Sequence, residues 1–370
     1  MSRKSSKLFV GMDVHKDSID VATAEERGGE VRHYGAIGGD LSAVTRLARK
    51  LESRANGPLV FVYEAGPCGF GIYRMLRERG HDCWVVSPGM TPRSNADRVK
   101  TDRRDCLKLA RLARAGELVP IHVPDQADEA VRDLVRTRED AVVMQRQARQ
   151  RLAALLLRND IRYVGKTAWT PAHRRWIAVL KLPQRAQQLA FEEYVQAVDE
   201  AGQRIARLET AIRDELEHWR WRPVVAALQA FRGIQAIHAV RIVAELGDLT
   251  RFGSARQLMA YLGLVPSEHS SGQQRQQGSI TKAGNSSARR ALVEAAWAYR
   301  HGARVSPIIA RRQSGLEKSV TELAWRAQQR LCARFRRLNA RGLHRNKIVV
   351  AIARELSGFV WALGQKVKPC

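Results

Sequence analysis

Cysteine is scarce in this chain, and no two cysteines stand at the spacing of a zinc-binding pair. There are five, spread over the whole sequence, and their odd number leaves at least one thiol unpaired. A structural zinc site built on Cys-x-x-Cys pairs is therefore not predicted. Free thiols are typical of a reducing compartment, so we expect a cytoplasmic protein. The five are Cys68, Cys83, Cys106, Cys332 and Cys370.

Long apolar runs are also missing. The longest runs are too short to span a bilayer. The N-terminus is basic, but it leads into a strand pattern rather than into the apolar core of a signal peptide. Both observations argue against a membrane protein.

Acidic residues are few relative to basic ones. The 370 residues include 63 Lys and Arg against 37 Asp and Glu, which gives a formal net charge of +26. The length allows two or three domains, and the apolar fraction of 45% is ordinary for globular proteins. Such an excess of positive charge favours a polyanionic partner. With the membrane option weakened, nucleic acid is the leading candidate.

Two of the few acids lie on or at the end of predicted strands. Residues 7–14 alternate as a strand, and Asp13 lies on the face opposite its apolar residues. A carboxylate there is costly unless a cation or a donor meets it. Residues 59–63 form a continuous apolar run typical of a buried strand, which ends at Glu64 before a Gly-Pro turn. Glu64 is thus either an ordinary surface acid or part of a site at a strand end.

Residues 100–105 (KTDRRD) place two carboxylates three positions apart among basic residues. On a helix, Asp102 and Asp105 point the same way and can share a hard divalent cation, which prefers oxygen ligands. The alternative is that the two aspartates only begin a helix and complement its dipole.

Strands alternate with helices through residues 1–123, ending with a short strand expected over 118–123. Acids stand at three separate places in this stretch. This layout is similar to that of ribonuclease-H-like nucleases, in which such acids converge on two metal ions. The four acids are Asp13, Glu64, Asp102 and Asp105.

Two long helices are predicted beyond this region, over about 125–160 and 191–218, each with one apolar seam. They form either an arm that pairs with another protomer or a self-contained bundle. The first helix carries many arginines on its other faces, and we interpret them as a phosphate-binding surface. They are Arg132, Arg136, Arg138, Arg146, Arg149, Arg151 and Arg158.

The C-terminal part combines helices with a polar segment. Two short helices joined through residues 233–234 resemble a helix-hairpin-helix, whose amides bind phosphate. Residues 264–290 read as a long polar loop, in which a serine next to cations could attack a phosphate. Helices follow over about 286–301, 317–339 and 344–364. The cations expected to contact nucleic acid are Arg275, Lys282, Arg289, Arg290, Arg334 and Arg337.

Taken together, these motifs closely resemble the DEDD transposases of bacterial insertion sequences, described as bridge-RNA-guided recombinases. In the N-terminal half the resemblance rests on residues 11–16 (GMDVHK), 63–66 (YEAG) and 100–105. In the C-terminal half it rests on several further motifs. These are residues 233–234 (GI), 255–258 (ARQL), 261–266 (YLGLVP), 271–272 (SG), 282–285 (KAGN) and 289–292 (RRAL). Gln235 departs from the family, many members of which have glycine there.

The resemblance implies three parts. A ribonuclease-H-like catalytic domain would cover 1–123, a helical coiled-coil arm 124–220, and a mostly α-helical transposase domain 221–370. The four acids would hold Mg²⁺, and Ser271 before Gly272 would be the nucleophile, with Ser270 beside it as the alternative.

The activity implied is RNA-guided, site-specific recombination of donor and target DNA through a covalent phosphoserine–DNA intermediate. A structured non-coding guide (bridge) RNA would choose the sites. The protein would be a homo-oligomer, a dimer or tetramer, in the bacterial cytoplasm and associated with the nucleoid. The alternative is a metal-dependent Holliday-junction-type nuclease that cuts by water attack.

Overall fold

The computed structural model describes residues 6–92, 101–271 and 274–370, and for residues 269–271 and 274–276 it describes the backbone alone. Lys100, part of the motif at residues 100–105, lies outside the described residues. Contacts divide the chain into two units, Met1–Val123 and Pro124–Cys370.

The first unit is built on a mixed five-stranded sheet in the order β3-β2-β1-β4-β5. The first three strands are antiparallel neighbours, whereas β1, β4 and β5 run parallel. The central strand β1 is therefore flanked by one antiparallel and one parallel partner. The strands are β1 (Leu8–Val14), β2 (Ser18–Glu25), β3 (Arg32–Gly38), β4 (Leu59–Glu64) and β5 (Asp82–Val86).

Helices cover both faces of this sheet. Because side chains alternate along a strand, β1 sends Val10 and Met12 into one core and Phe9 into the other. The first core is closed by α1 (Leu41–Glu52) and α2 (Gly71–Glu78), and the second by α3 (Asp102–Ala115).

Helix α3 lies unusually close to β1, and Gly11 makes this possible. A Cβ added at Gly11 would collide with the carbonyl oxygen of Cys106 and the amide nitrogen of Ala110. Thr101 caps the helix by accepting from the Arg104 amide, and Gly116 ends it in the left-handed conformation. The first turn of α3 is thereby fixed over the end of β1.

The strand predicted over 118–123 does not form. The described backbone there makes one bridge, between Pro120 and Val86, with the Ile121 amide donating to the Val85 carbonyl at 2.7 Å. Proline has no N–H to donate, which interrupts a strand ladder at that position.

Two long helices of the second unit, α4 (Gln126–Arg158) and α6 (Arg185–His218), run antiparallel along each other. Arg138 pairs with Glu209 near one end of the contact, and Gln187 of α6 donates to Asn159, just after α4, at 2.8 Å near the other. The helix α5 (Pro171–Ala178) lies between them in sequence, and its Arg174 pairs with Asp199. Asp125 begins α4 by accepting from the Asp128 amide.

Both ends of this helix pair are packed. One end joins the main core of the unit, and the other forms a separate cluster that includes Leu152 and Phe191. Whether the chain divides at residue 220, and whether the pair is a coiled-coil arm, stay predictions.

The remaining helices of this unit pack around the main core, which includes Phe231, Tyr299 and Leu331. Gly233, at φ +86°, lies so close to the Ala295 carbonyl that only glycine fits there. The helices are α7 (Arg222–Leu228), α8 (Ala236–Leu246), α9 (Ala255–Tyr261), α10 (Ser286–Ala296), α11 (Pro307–Gln313), α12 (Lys318–Ala340) and α13 (Arg345–Gly364).

The long polar loop predicted over 264–290 is largely a β-hairpin, of β6 (Pro266–Ser271) and β7 (Gln274–Ile280). Its base is tightly fixed: Gly263 and Gly284 have positive φ, and Arg289 donates to the Leu262 and Ala283 carbonyls at 2.8 and 2.9 Å. The prediction of a loop was wrong because the segment has no apolar alternation to indicate strands, although its backbone pairs as a hairpin.

The expectation of a mixed α/β N-terminal part and a mostly helical remainder is confirmed. Within residues 6–92, 101–271 and 274–370, no helix combines the length and apolar character needed to cross a bilayer. The ribonuclease-H-like assignment of the first unit stays a prediction.

Candidate functional site

Asp13 lies near the end of the central strand β1. It follows Phe9 and Gly11 on the face that α3 covers, and it pairs across to Asp20 on β2. Its side chain is 19% exposed. The strand therefore presents a carboxylate at the rim of the sheet, beneath the start of α3.

Asp102 and Asp105 occupy the first turn of α3. They complement the positive end of the helix dipole, as the simpler interpretation of the sequence had it. Asp102 does more than this, because its carboxylate also faces the end of β1. The docking of α3 at Gly11 is what brings a helix residue to a strand residue 89 positions away.

His15 joins these two acids. Its Nε2 lies 3.2 Å from Asp13 Oδ2 and 3.6 Å from Asp102 Oδ1. The three ligand atoms all lie within 4.8 Å of one another. Sequence reasoning did not single out His15, although its position two residues after Asp13 places it on the same strand face, which was the available signal.

The electrostatics of the acid cluster are unbalanced. Burial raises the pKa of Asp13 above its ordinary value, the charge and hydrogen bond of His15 lower it, and the charges of Asp105 and Asp102 raise it further, with a net upward shift. A carboxylate in this position gains from any cation that comes to the site.

Glu64 ends β4, the parallel neighbour of β1. It stands one residue beyond Tyr63, which pairs with Met12, and it shares the strand face of Val60 and Val62 that α3 covers. Its Oε1 accepts from the hydroxyl of Thr91 at 2.9 Å. The described group of three ligands does not include Glu64, although its strand and face place it at the same edge of the sheet.

The donor set fits a hard divalent cation. Carboxylate oxygens from β1 and α3 converge, and the pKa of Asp13 is raised, first by burial and then by the charges of Asp105 and Asp102. Cations such as Mg²⁺ take oxygen ligands and keep several waters, so a few carboxylates at a solvent-accessible rim suffice. Asp13, Asp102, Asp105 and Glu64 are the residues that could hold one.

The predicted nucleophile lies on the second unit. Ser271 is the last residue of β6, where its backbone pairs with Gln274, and Ser270 pairs with Arg275. Gly272 and the side chains of Ser270, Ser271 and Arg275 lie outside the described part. The described strands β6 and β7 extend from a fixed base between Gly263 and Gly284.

The other cations predicted to contact nucleic acid differ in their surroundings. Lys282, Arg290 and Arg337 are exposed. Arg289 is half-buried and ties the hairpin base, and burial lowers its pKa. Arg334 Nε lies 2.7 Å from a carboxylate oxygen of Glu355.

Several arginines of α4 bind other parts of the protein. Arg136 donates to Glu245 at 2.9 and 3.0 Å, and Arg138 binds Glu209. Arg149 lies over the Trp169 ring, 4.7 Å from its centroid. These three arginines hold the second unit together, so the predicted phosphate surface on α4 is smaller than the sequence indicated.

Comparisons with known proteins cover both units. Residues 10–159 match a DEDD transposase model of the IS110 group, described as a transposase. Residues 225–312 match the model described as the transposase IS116/IS110/IS902 family. A putative transposase of Sinorhizobium fredii is 44% identical over 363 residues, which cover 98% of this chain and 90% of the relative. The transposase for insertion sequence element IS1533 of Leptospira borgpetersenii is 32% identical over 335 residues, covering 90% and 96%.

Proposed function

Because the chain belongs to the IS116/IS110/IS902 family of DEDD transposases, an enzyme family that acts on DNA, we propose that it cleaves and rejoins its element's DNA at a Mg²⁺ centre held by four acids. The acids are Asp13, Glu64, Asp102 and Asp105. The observation that carries this proposal is the convergence of Asp13 and Asp102 around His15, from elements far apart in the sequence.

The chain's own residues have distinct tasks in this mechanism. Bound divalent cations polarise a phosphate and lower the pKa of an attacking hydroxyl. Asp13 and Asp102 supply acceptor oxygens from a strand and a helix that are locked together at Gly11. His15, with its side chain 50% exposed, donates to Asp13 and fixes the orientation of that carboxylate while it remains open to solvent.

The nucleophile proposed is the hydroxyl of Ser271. Its oxygen forms a bond to phosphorus as a deoxyribose oxygen leaves with a proton, and a deoxyribose hydroxyl later reverses the step on the new strand. Support comes from the position of the Ser271 backbone at the far end of a hairpin whose base is rigid, and from the exposed Lys282 and Arg290, which flank that base and could hold the DNA backbone. Such cations stabilise negative charge that develops on phosphoryl oxygens.

The second candidate is attack by water without a covalent link, which the acid cluster alone supports. The test incubates element-end DNA with the protein and Mg²⁺, denatures the mixture and looks for a protein–DNA adduct by mass. The serine mechanism predicts an adduct in wild type and in Ser270→Ala but none in Ser271→Ala. Cleavage by Ser271→Ala at the wild-type rate, with no adduct in any sample, would establish water attack.

We further propose that a structured non-coding RNA directs the choice of sites. The 63 basic residues against 37 acidic ones support a polyanionic partner, which can be RNA as well as DNA. A protein that delegates sequence choice in this way contacts backbone and shape. Recombination should disappear after ribonuclease treatment and return when the element's flanking transcript is added. Full activity on protein stripped of RNA would contradict the proposal.

A homo-oligomer is proposed on the basis of apolar side chains exposed on and beside the helix pair. Met144 and Leu157 on α4, and Leu189 on α6, are each more than half exposed. A second copy of the chain could cover these side chains if they form one patch on the helix pair. Light scattering should give the mass of a dimer or tetramer, and a monomer at micromolar concentration would contradict this.

A further inference from the structure

A second group of potential ligands lies in the first unit and is not part of the acid set. Asp20, His33 and Cys106 offer a carboxylate oxygen, an imidazole nitrogen and a thiol sulfur, all within 4.8 Å of one another. They come from β2, β3 and α3. Three different donor types from three elements therefore meet at one point.

The fold brings them together in an unusual way. The β2–β3 register shifts between Val21 and Ala22, so that Ala22 pairs with His33 whereas Val21 pairs with Gly35. Such an irregularity re-aims side chains along a strand. Cys106 comes from above, on the part of α3 that Gly11 allows close to the sheet.

In the structure the three groups have protein partners. His33 Nε2 and Asp20 Oδ1 are 2.8 Å apart, and the Cys106 thiol donates to the Arg103 carbonyl at 3.2 Å. Asp20 and His33 keep 18% and 23% of their side-chain surface exposed, whereas Cys106 is fully buried. An ion could reach the first two from solvent and find the sulfur behind them.

We propose that Asp20, His33 and Cys106 bind a borderline-soft divalent cation of the Zn²⁺ class, with water as the fourth ligand. Nitrogen, sulfur and oxygen together are the donors that such ions take, whereas Mg²⁺ takes oxygen alone. The thiol ligates as thiolate, so its proton is released to solvent on binding.

The position gives this site a consequence for the rest of the unit. Asp20 is the cross-strand partner of Asp13. A cation on Asp20 therefore ties β2, β3 and α3 together next to the acid cluster, and it stabilises the folded form because the unfolded chain lacks the site. The proposal does not depend on the transposase mechanism.

The test uses the full-length chain with Cys68→Ser and Cys370→Ser, which removes the two exposed thiols. Co²⁺ is the probe, because a cobalt–thiolate bond gives a charge-transfer absorption band, and Zn²⁺ should displace it. The band is expected at one equivalent, with a rise in the thermal midpoint on adding Zn²⁺. His33→Gln and Cys106→Ala should each weaken binding at least about 100-fold, since even outer-shell partners are worth about 10- to 100-fold.

Two control variants separate this site from its surroundings. Cys83→Ser removes another buried thiol of the same unit and should keep the band, and Asp102→Asn should keep it as well. If Cys106→Ala does not fold, as judged by circular dichroism, the test relies on His33→Gln, because His33 is only half-buried. The absence of a thiolate band in the parent protein, or its persistence in His33→Gln, would overturn the proposal.

Discussion

Two buried or half-buried carboxylates, one in each unit, have pKa values shifted in opposite directions. Asp13 is desolvated beside other acids, and its pKa is raised. Glu245 has no exposed side-chain surface, and burial alone would raise its pKa, but hydrogen bonds from Arg136 and Asn285 outweigh this and lower it. Arg136 and Asn285 thus stabilise the charged form of Glu245, whereas at Asp13 burial and the neighbouring acids outweigh His15.

The difference in pKa indicates different roles, a structural one for Glu245 and a functional one for Asp13. Glu245 joins α4, α8 and the start of α10, where Asn285 donates to it at 2.7 Å. Nearby Arg241, also buried, binds Glu139 and Glu294. In this network each buried carboxylate faces an arginine of the protein, whereas the pKa of Asp13 stays raised. An acid with a raised pKa at the rim of a sheet is the better candidate for chemistry.

The largest effect is expected from neutralising the acid cluster. Asp13→Asn and Asp102→Asn should each reduce DNA cleavage at least about 100-fold, more than the loss of a typical outer-shell partner. Asp13→Asn should also raise the thermal midpoint of the metal-free protein at pH 7, because it removes a desolvated charge. Cleavage assays and thermal melts check both, with the exposed Asp17→Asn as control. Cleavage by Asp13→Asn at the wild-type rate would contradict a functional role for Asp13.

Breaking the Glu245 network should lower the stability of the protein, where Asp13→Asn raises it. Arg136→Ala leaves the buried Glu245 carboxylate with Asn285 and a nearby Arg132 charge. We expect the free energy of unfolding to fall by about 1–3 kcal/mol, the cost of a buried acceptor that loses a partner, and less than for a fully buried pair because the Arg136 side chain is 51% exposed. Urea unfolding measures this, with the exposed Arg146→Ala on the same helix as control. Equal stabilities of the two variants would mean that the network contributes little.

The close approach of α3 to β1 can be tested at one glycine. Gly11→Ala should force α3 away from the sheet, cost about 1–3 kcal/mol of unfolding free energy and displace Asp102 from His15, with a loss of cleavage. Gly71→Ala in α2 meets only ordinary contact with Leu41 and should be close to neutral. Comparable stability and activity of both variants would show that α3 does not need a glycine at position 11 to dock on β1.

The two carboxylates should also differ in pH dependence. A raised pKa in the folded state means that Asp13 destabilises the fold above its folded pKa and not below 3.8, so the stability gain of Asp13→Asn should vanish in acid. The lowered pKa of Glu245 means that its contribution is present above 4.5 and is lost as the pH falls through the folded pKa. The deficit of Arg136→Ala should then shrink in acid. Thermal melts from pH 3 to 7 test both; parallel curves would contradict them.

The smallest effect concerns two neighbouring arginines of α12. Arg337 is exposed, whereas Arg334 already faces Glu355. Arg337→Ala should weaken nucleic-acid binding at all sequences and reduce the salt slope by about 1. Arg334→Ala should change the slope less, as measured by binding at several salt concentrations. A larger change for Arg334 would reverse this ranking.

The sequence alone predicted which elements carry the acids better than it predicted which residues contact them. Apolar patterns placed Asp13 on one strand and Glu64 at the end of another, and helical periodicity predicted α4 and α12, because local patterns determine these features. That the two strands are neighbours was not predicted. The hairpin at Ser271 was missed, since its pairing depends on backbone bonds between polar residues.

Tertiary contacts account for the rest. Nothing local to residues 13–15 indicates that Asp102 will face them, because this depends on how α3 docks at Gly11. The arginines of α4 looked like a phosphate surface because their partners Glu209 and Glu245 come from other helices. Charge count in a sequence therefore overstates the free charge in a fold.

The central claim is that the Asp13–Asp102 cluster holds a divalent cation. Binding of Mn²⁺, a hard cation visible by electron paramagnetic resonance, tests it directly in the full-length protein. Wild type and Asp17→Asn should bind Mn²⁺ with the same affinity, whereas Asp102→Asn should bind it at least about 10-fold more weakly. The Asp102 side chain is 55% exposed, so we expect this substitution to have little effect on folding. Equal Mn²⁺ affinity of Asp102→Asn and wild type would contradict the account.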